Sequence, residues 1–292
     1  MSIESYYLDS RYEFNFQTYG QQINALHIDH SIRGSGNRIP VTVTGHAKDL
    51  LDNATSHGKI LNGLDFLMWK DSQWDRCSYA TDMVAWDYLH ENPHCGTATS
   101  PYPTRHVRWG LAGTADTASM FHIDSDGFAT FLQVMCGKKL WAVYRPYPTL
   151  PLSNINVFTL SDFFELDKIP AGAQFGLEAV VLRQGDFLYV FFFISFDIFS
   201  SLYRLMQPGV PHFVYGLENT IIHGSHFYSS SLMQPTVASL VHGFVLSDFI
   251  SNTFHHPSCQ LLRRIVIFWA LALLEGRLTP EGKSAVAFHC TY

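Results

Sequence analysis

Residues 121–145 read FHIDSDGFATFLQVMCGKKLWAVYR and contain two short runs typical of β-strands, Phe128–Cys136 and Leu140–Arg145. Both runs are rich in aromatic and branched residues, which suit the pleated, half-buried surface of a sheet. Every second residue of a strand faces the same side, so one face of the first run carries Phe128, Thr130, Leu132 and Val134. The stretch therefore predicts a β-rich fold.

Runs of the same kind lie on both sides of this stretch. They predict strands over Val107–Gly113, Glu178–Arg183, Phe187–Tyr189, His212–Tyr215 and Thr220–His223. Apolar residues at helical spacing predict helices over Gly45–Ser56, Tyr79–His90 and Gln260–Glu275, and a helical pattern from Thr236 onward. Many short strands separated by turns favour a sandwich or jelly roll. We predict a mainly β fold with flanking helices (α+β), with a mixed N-terminal region over 1–75, a β core over 76–230 and a helical region over 231–292.

The composition narrows the classes of protein to be considered. The chain is 47% hydrophobic and 15% charged, which argues against disorder. Its net charge of −6 and the absence of a Lys/Arg cluster provide no electrostatic footprint for nucleic acid. Five widely spaced cysteines form neither a disulfide framework nor a CxxC zinc pair, which is typical of a reducing compartment. We expect a nuclear or cytoplasmic protein with no direct nucleic-acid partner.

An apolar run over 187–203, FLYVFFFISFDIFSSLY, has the length of a short membrane span. Asp197 lies inside it, and a charged side chain is costly in the middle of a bilayer. We interpret this run as part of an insert, and we expect no membrane partner.

The triplet His122-Ile-Asp124, with His212 farther along the chain, indicates a metal site. Two histidines and one carboxylate form the facial triad that binds non-haem Fe(II) and leaves coordination positions open. A nearby lysine, Lys139, could hold the far carboxylate of a dicarboxylic co-substrate as a point charge. The same triplet occurs at His27-Ile28-Asp29, but there no Gly-x-Lys strand follows it.

In this context the chain resembles the Jumonji C (JmjC) family of Fe(II)- and 2-oxoglutarate-dependent oxygenases, over roughly residues 75–230. The matching stretches are Phe121-His122-Ile-Asp124, Gly137-x-Lys139, Gly185-Asp186-Phe-Leu-Tyr189 and Pro208-Gly-Val-Pro-His212-Phe-Val. Trp109-Gly-Leu-Ala also looks like versions found in fungal members.

The resemblance implies a double-stranded β-helix, the jelly roll of cupin-like proteins. It implies that His122, Asp124 and His212 ligate Fe(II), and that Lys139 and Ser119 bind the distal carboxylate of 2-oxoglutarate. The implied reaction is hydroxylation or N-demethylation of a protein or peptide partner, histone lysine among the candidates.

Several residues have competitors or simpler interpretations. Lys138 competes with Lys139, and because neighbouring strand residues face opposite sides, only one of them can reach the site. His122 could be an ordinary core histidine, and Ser119 could be only a strand-end hydroxyl. His223 and His226 compete with His212 as the distal ligand. Residues lacking ligand partners at zinc spacing are expected at the surface near a helix start, namely His255, His256 and Cys259.

Residues 190–205 depart from the family pattern. Without them the sequence reads GDFLY-MQPGVPHFVYG, an uninterrupted strand and turn. We hypothesise that these sixteen residues come from a retained, in-frame intron. Their apolar side chains would seek cover, and we expect them to displace the strand end and move His212 from the metal.

Two further functions stay open at this point. The chain could be a catalytically inactive JmjC-fold binding or regulatory protein whose distal histidine strand is disrupted by the insert. It could also be a cupin-like metal protein or isomerase that makes no use of 2-oxoglutarate.

Overall fold

The computed structural model describes residues 22–27, 41–56, 60–67, 81–91, 102–146, 175–188, 206–246, 255 and 257–277. Its strands are β1 (Gln22–His27), β2 (Val41–His46), β3 (Leu61–Leu67), β4 (Arg108–Gly113), β5 (Ala118–His122), β6 (Ala129–Cys136), β7 (Lys138–Pro146), β8 (Phe175–Arg183), β9 (Phe187–Leu188), β10 (His212–Gly216) and β11 (Thr220–Phe227). Its α-helices are α1 (Ala47–Ser56), α2 (Thr81–Glu91), α3 (Thr104–Val107), α4 (Met233–Leu246) and α5 (Ser258–Leu274). Single 3₁₀ turns cover Ser125–Gly127 and Ser230–Leu232.

The strands form two sheets, and every pairing among the described strands is antiparallel. The larger sheet has the order β2-β1-β3-β4-β11-β6-β9, and the smaller has the order β5-β10-β7-β8. The α+β class predicted from the sequence is confirmed. Because β3 pairs with β4, the larger sheet contains strands from both the predicted N-terminal region (1–75) and the predicted β core (76–230).

β11 extends four residues beyond the predicted strand, to Phe227. The first added residue, Gly224, disfavours a strand, but β11 is central: it pairs with β4 as far as Ser225 and with β6 as far as Phe227. Gly224 is required there because a Cβ atom at that position would lie 2.3 Å from the indole of Trp109 on β4. Pairing and packing with neighbouring strands therefore determine the length of this strand.

An apolar core joins the inner faces of the two sheets. It takes side chains from β4, β6, β9 and β11 of one sheet and from β7, β8 and β10 of the other, namely Trp109, Leu132, Val134, Leu188, Ile222, Trp141, Val143, Leu182 and Val214. Burying a large apolar side chain stabilises a fold by about 1.5–3 kcal/mol. The packing of this core therefore holds the two sheets together.

A second cluster covers one end of the β structure. Helices α2 and α5 contribute Trp86, Leu261, Ile265 and Phe268, which pack with Phe128 and Tyr228. The guanidinium of Arg264 lies 3.6 Å from the centre of the Trp86 ring, a cation–π contact between the helices. No helix in the described part of the chain is both long and apolar enough to cross a membrane. Of the apolar run 187–203, only Phe187 and Leu188 are described, and they form β9.

The ladder beside the insert keeps the register of an uninterrupted strand. Leu188 pairs with Leu132 and Phe187 with Gln133, so a strand continuing past Leu188 would place its residue 190 opposite Thr130. Met206 occupies that place, and the backbone N–H groups of Met206 and Thr130 each donate to the other's carbonyl. Residues 190–205 themselves lie outside the described residues. Met206, the first residue after them, is in register with β6, and His212 lies beside His122 and Asp124, so the expected displacement of His212 is wrong.

This register predicts that a variant lacking residues 190–205 folds. Met206 would follow Tyr189 directly and retain its place opposite Thr130, so His212 would keep its position. Circular dichroism should show unchanged secondary structure, and a metal titration should show affinity within about threefold of the intact chain, a difference below about 1 kcal/mol.

The matched control deletes 190–204, one residue fewer. It places Leu205 opposite Thr130 and turns Met206 to the other face of the sheet, because a slip of one residue reverses the faces of a strand. This control should unfold at a lower temperature than the longer deletion. Equal loss of structure in both variants would contradict the register argument.

Candidate metal centre

Sheet pairing brings the two candidate histidines together. His122 is the last residue of β5, His212 is the first of β10, and the two pair directly across the ladder. Their ring centroids are 4.2 Å apart. The register shifts between His212 and Val214, an irregularity of the kind that re-aims a side chain next to a site. Residues ninety positions apart in the sequence thus face each other at one edge of the smaller sheet.

Asp124 follows β5 directly and turns its carboxylate towards the same point. Its Oδ1 lies 3.9 Å from Nε2 of His212. Burial acts to raise the pKa of Asp124, but His212, His226, His122 and a hydrogen bond from Thr130 outweigh it, so the pKa lies below its usual value. Asp124 is therefore a carboxylate at neutral pH, as a metal ligand must be.

His122, Asp124 and His212 could hold a metal ion. One ligand atom from each lies within 4.8 Å of the other two. Metal–ligand bonds to nitrogen and oxygen are about 2.0–2.2 Å long, so small side-chain rotations bring the three donors onto one ion. Three protein ligands on one side leave coordination positions open on the other, as in the facial triad of non-haem iron proteins.

The hydrogen bonding of His212 leaves one nitrogen available for a metal. Its Nδ1 lies 3.1 Å from the Val210 carbonyl, and because a carbonyl only accepts, Nδ1 carries the proton. Nε2 is then the unprotonated nitrogen, on the side of Asp124. Burial lowers the pKa of His212 to about 4, so the ring is neutral at pH 7. Trp141 stacks nearly parallel on this ring at 5.4 Å and restricts its rotation.

Of the two adjacent lysines, only Lys139 lines the cavity that contains the three donors. Lys139 is 2% exposed, and burial lowers its pKa to about 8. Among the described residues no acidic side chain pairs with it. Lys138 faces outward and forms an ion pair with Glu218. Strand alternation thus separates a buried, unpaired cation from a solvated one.

Ser119 lies in the same cavity, on β5, and β10 separates it from Lys139 on β7. Its Oγ accepts a hydrogen bond from the side-chain amide of Asn62 at 3.2 Å. Since that amide nitrogen is the donor, the Ser119 hydroxyl keeps its own proton for another acceptor. Asn62 belongs to β3 in the N-terminal region, where the sequence offered no motif that pointed to it.

Two indoles form part of the cavity wall. Trp109 and Trp141 both line it, and the Nε1–H of each is buried without an acceptor in the described part of the chain. A buried donor left unpaired costs about 1–3 kcal/mol.

The competing histidines take other positions. His223 is buried on β11, and burial lowers its pKa to about 4, but it faces away from the cavity. His226, on the cavity side of the same strand, bonds Thr130 through Nδ1. His27 ends β1, and Asp29 lies outside the described residues. Among the residues described, His122, Asp124 and His212 are the one group that meets the geometry of a metal site.

The prediction that His255 is a surface residue is wrong. His255 is 9% exposed, lines the cavity and lies 4.8 Å from the ring of His226. Its backbone N–H donates to Asp126, which also accepts from Ser258 at the start of α5. This contact brings the C-terminal region to the site, and no local spacing in the sequence predicts it. Cys259 is exposed as expected, and His256 lies outside the described residues.

No model of a known protein family matches this chain, and no curated protein sequence matches it.

We predict that His212→Ala abolishes tight binding of a divalent ion such as Co(II). Loss of one of three ligands should weaken binding more than loss of an outer-shell partner, which typically costs 10–100-fold. A titration followed by the Co(II) visible spectrum measures this. The matched control is His223→Ala, which removes a histidine of similar burial and pKa from the opposite face of β11. Equal loss in both variants would contradict the assignment of His212.

The buried histidines also predict how stability depends on pH in the metal-free protein. Burial lowers the pKa of His212, His223 and His226 to about 4, so between pH 4 and about 6.5 the unfolded chain binds more protons than the folded one. The free energy of unfolding should therefore fall as pH falls through this range, by up to about 3 kcal/mol for each histidine. Urea titrations in chelator at several pH values measure it. His223→Gln should reduce the slope, and an unchanged slope would contradict the argument.

Proposed function

We propose that this protein is an Fe(II)- and 2-oxoglutarate-dependent oxygenase of the JmjC type, built on a double-stranded β-helix (jelly roll, cupin-like). The proposal depends most on one observation: Lys139 is buried in the cavity that holds His122, Asp124 and His212, and no acidic side chain among the described residues pairs with it. A buried cation without a partner is costly. A ligand that brings a carboxylate to Lys139 while binding the metal would remove that cost.

The charges in the cavity favour a dianion. A divalent ion beside one carboxylate and one ammonium leaves roughly two units of positive charge, and the ion's own charge dominates such a site. The Ser119 hydroxyl adds a donor and no further negative charge. 2-Oxoglutarate carries two carboxylates at opposite ends of a short chain, so it matches both the charge and the two separated binding points.

The arrangement of the sheets supports the fold part of the proposal. In a double-stranded β-helix two antiparallel sheets face each other, and the ligand site lies between them. Here the core joins the inner faces of the two sheets, and the cavity takes residues from both.

Each group in the cavity has a role under this proposal. His122, Asp124 and His212 would hold the iron, and Lys139 and Ser119 would bind the distal carboxylate of 2-oxoglutarate. Trp109, Leu111, Trp141 and Val214 would exclude water, which strengthens the electrostatic interactions inside. Bound Fe(II) with 2-oxoglutarate supplies the activation of dioxygen, with succinate and carbon dioxide as by-products. Oxygen inserted into a C–H bond gives an alcohol, and on an N-methyl group the product releases formaldehyde.

A protein or peptide substrate, histone lysine included, is proposed on the resemblance in the motifs. A screen that couples succinate release to a panel of histone and non-histone peptides addresses this part. Peptide-dependent succinate above the peptide-free rate supports it, and no stimulation by any peptide counts against it.

We predict that Lys139→Met prevents binding of 2-oxoglutarate and that Lys138→Met does not. Truncating one member of a buried charge pair costs about 2–5 kcal/mol, roughly 30-fold or more in affinity. Anaerobic Fe(II) and 2-oxoglutarate should give a weak visible charge-transfer band with the parent protein and with Lys138→Met, but not with Lys139→Met. Melting temperatures should confirm that all three proteins fold.

The charge-transfer band and a measurement of oxygen consumption together separate the competing functions. An inactive binding or regulatory protein would show no band in any of the three proteins. A cupin-like metal protein or isomerase would bind the metal but consume no oxygen in response to 2-oxoglutarate, and its activity would survive Lys139→Ala.

A further inference from the structure

The two oxygens of Asp124 have different surroundings. Oδ1 faces His212, at 3.9 Å from its Nε2. Oδ2 accepts a hydrogen bond of 2.6 Å from the Thr130 hydroxyl on β6. One oxygen is therefore directed at the candidate metal position, while the other is held by the opposite sheet.

Asp124, Thr130 and His226 are linked by two hydrogen bonds, and the direction of each bond follows from its two partners. A carboxylate only accepts, so the single proton of the Thr130 hydroxyl goes to Asp124. Nδ1 of His226 lies 2.8 Å from the same hydroxyl oxygen, which has only lone pairs left to offer. Nδ1 of His226 therefore carries a proton and donates it. The two hydrogen bonds therefore run from His226 to Thr130 and from Thr130 to Oδ2 of Asp124.

Packing restricts the imidazole ring of His226, which donates the first of these hydrogen bonds. His226 is 7% exposed and stacks on Phe128, with ring centroids 5.5 Å apart. The ring centroid of Trp109 lies 5.5 Å from that of His226, and the ring centroid of His255 lies 4.8 Å from it. With three rings around it, the imidazole has little freedom to turn its Nδ1 away from Thr130.

We propose that His226 and Thr130 are positioning residues that keep Asp124 a ligand through one oxygen. A carboxylate that binds through both oxygens would take one of the three positions left open by the facial triad. Co-substrate chelation and dioxygen together need all three, and this part of the argument rests on the proposed function. Holding Oδ2 away from the metal therefore preserves the position that dioxygen requires.

Thr130→Val tests the central link, because it keeps the branched shape and removes the hydroxyl. Loss of an outer-shell partner typically weakens metal binding 10–100-fold, and we expect a loss in that range for Co(II). Thr130→Ser retains the hydroxyl and should stay within about threefold of the parent, a difference below about 1 kcal/mol. Melting temperatures of the metal-free proteins identify any general loss of stability.

The His226 link has its own matched pair. Asparagine places an amide nitrogen near the position of Nδ1 and can still donate to Thr130, whereas leucine cannot. His226→Asn should therefore bind Co(II) more tightly than His226→Leu, by about tenfold or more. A role in packing alone would make the two variants equally weak. The imidazole NMR signals of the parent should also show His226 protonated at Nδ1.

The outcomes separate this inference from the proposed function. Parent protein that binds Co(II), with unchanged affinity in Thr130→Val and His226→Leu, would overturn the positioning role alone. Parent protein that binds no divalent ion would overturn both. Weakened binding in both variants, with recovery in Thr130→Ser and His226→Asn, would support the positioning role even in a protein that does not use 2-oxoglutarate.

Discussion

The antiparallel pairing of β5 with β10 is the constraint on which the candidate site depends. It sets His122 opposite His212 and places Asp124 immediately beyond the end of β5. The same strand, β10, pairs with β7 on its other side, and this second register places Lys139 opposite Gly216. The two ladders that share β10 thus place the metal ligands and the cation around one cavity.

Local patterns predicted most of the β-strands and half of the site. The His-x-Asp triplet and the choice of Lys139 over Lys138 follow from spacing and from the alternation of strand faces, which act over a few residues. The parts taken by Thr130, His226 and His255 in the cavity wall, and by Asn62 behind Ser119, were not predicted, because each of the four comes from a different strand or segment. Their roles depend on pairing between distant strands, and a single sequence carries no local signal for that pairing. The length of β11 was underestimated for the same reason, since Gly224 and Ser225 pair with both neighbouring strands and the last two residues pair with β6.

The cavity concentrates groups that weaken the fold. A buried ammonium, several neutral imidazoles and two indole N–H groups that lack an acceptor among the described residues all carry desolvation costs that an apolar core would avoid. Such groups gather where a fold gives up stability for binding. Ligands that supply a metal charge and carboxylate oxygens would return that stability, so the occupied protein should be markedly harder to unfold than the empty one.

The junction between Leu188 and Met206 has a consequence for how the molecule could be modified. Leu188 and Met206 are each fixed by pairing with a residue of β6, Leu132 and Thr130 respectively. Lengthening the polypeptide between these two fixed ends costs only slightly more loop-closure entropy. Met206 also belongs to the cavity wall. A fluorescent reporter or a second domain grafted between these anchors would therefore sit within reach of the cavity, and its signal could respond directly to occupancy.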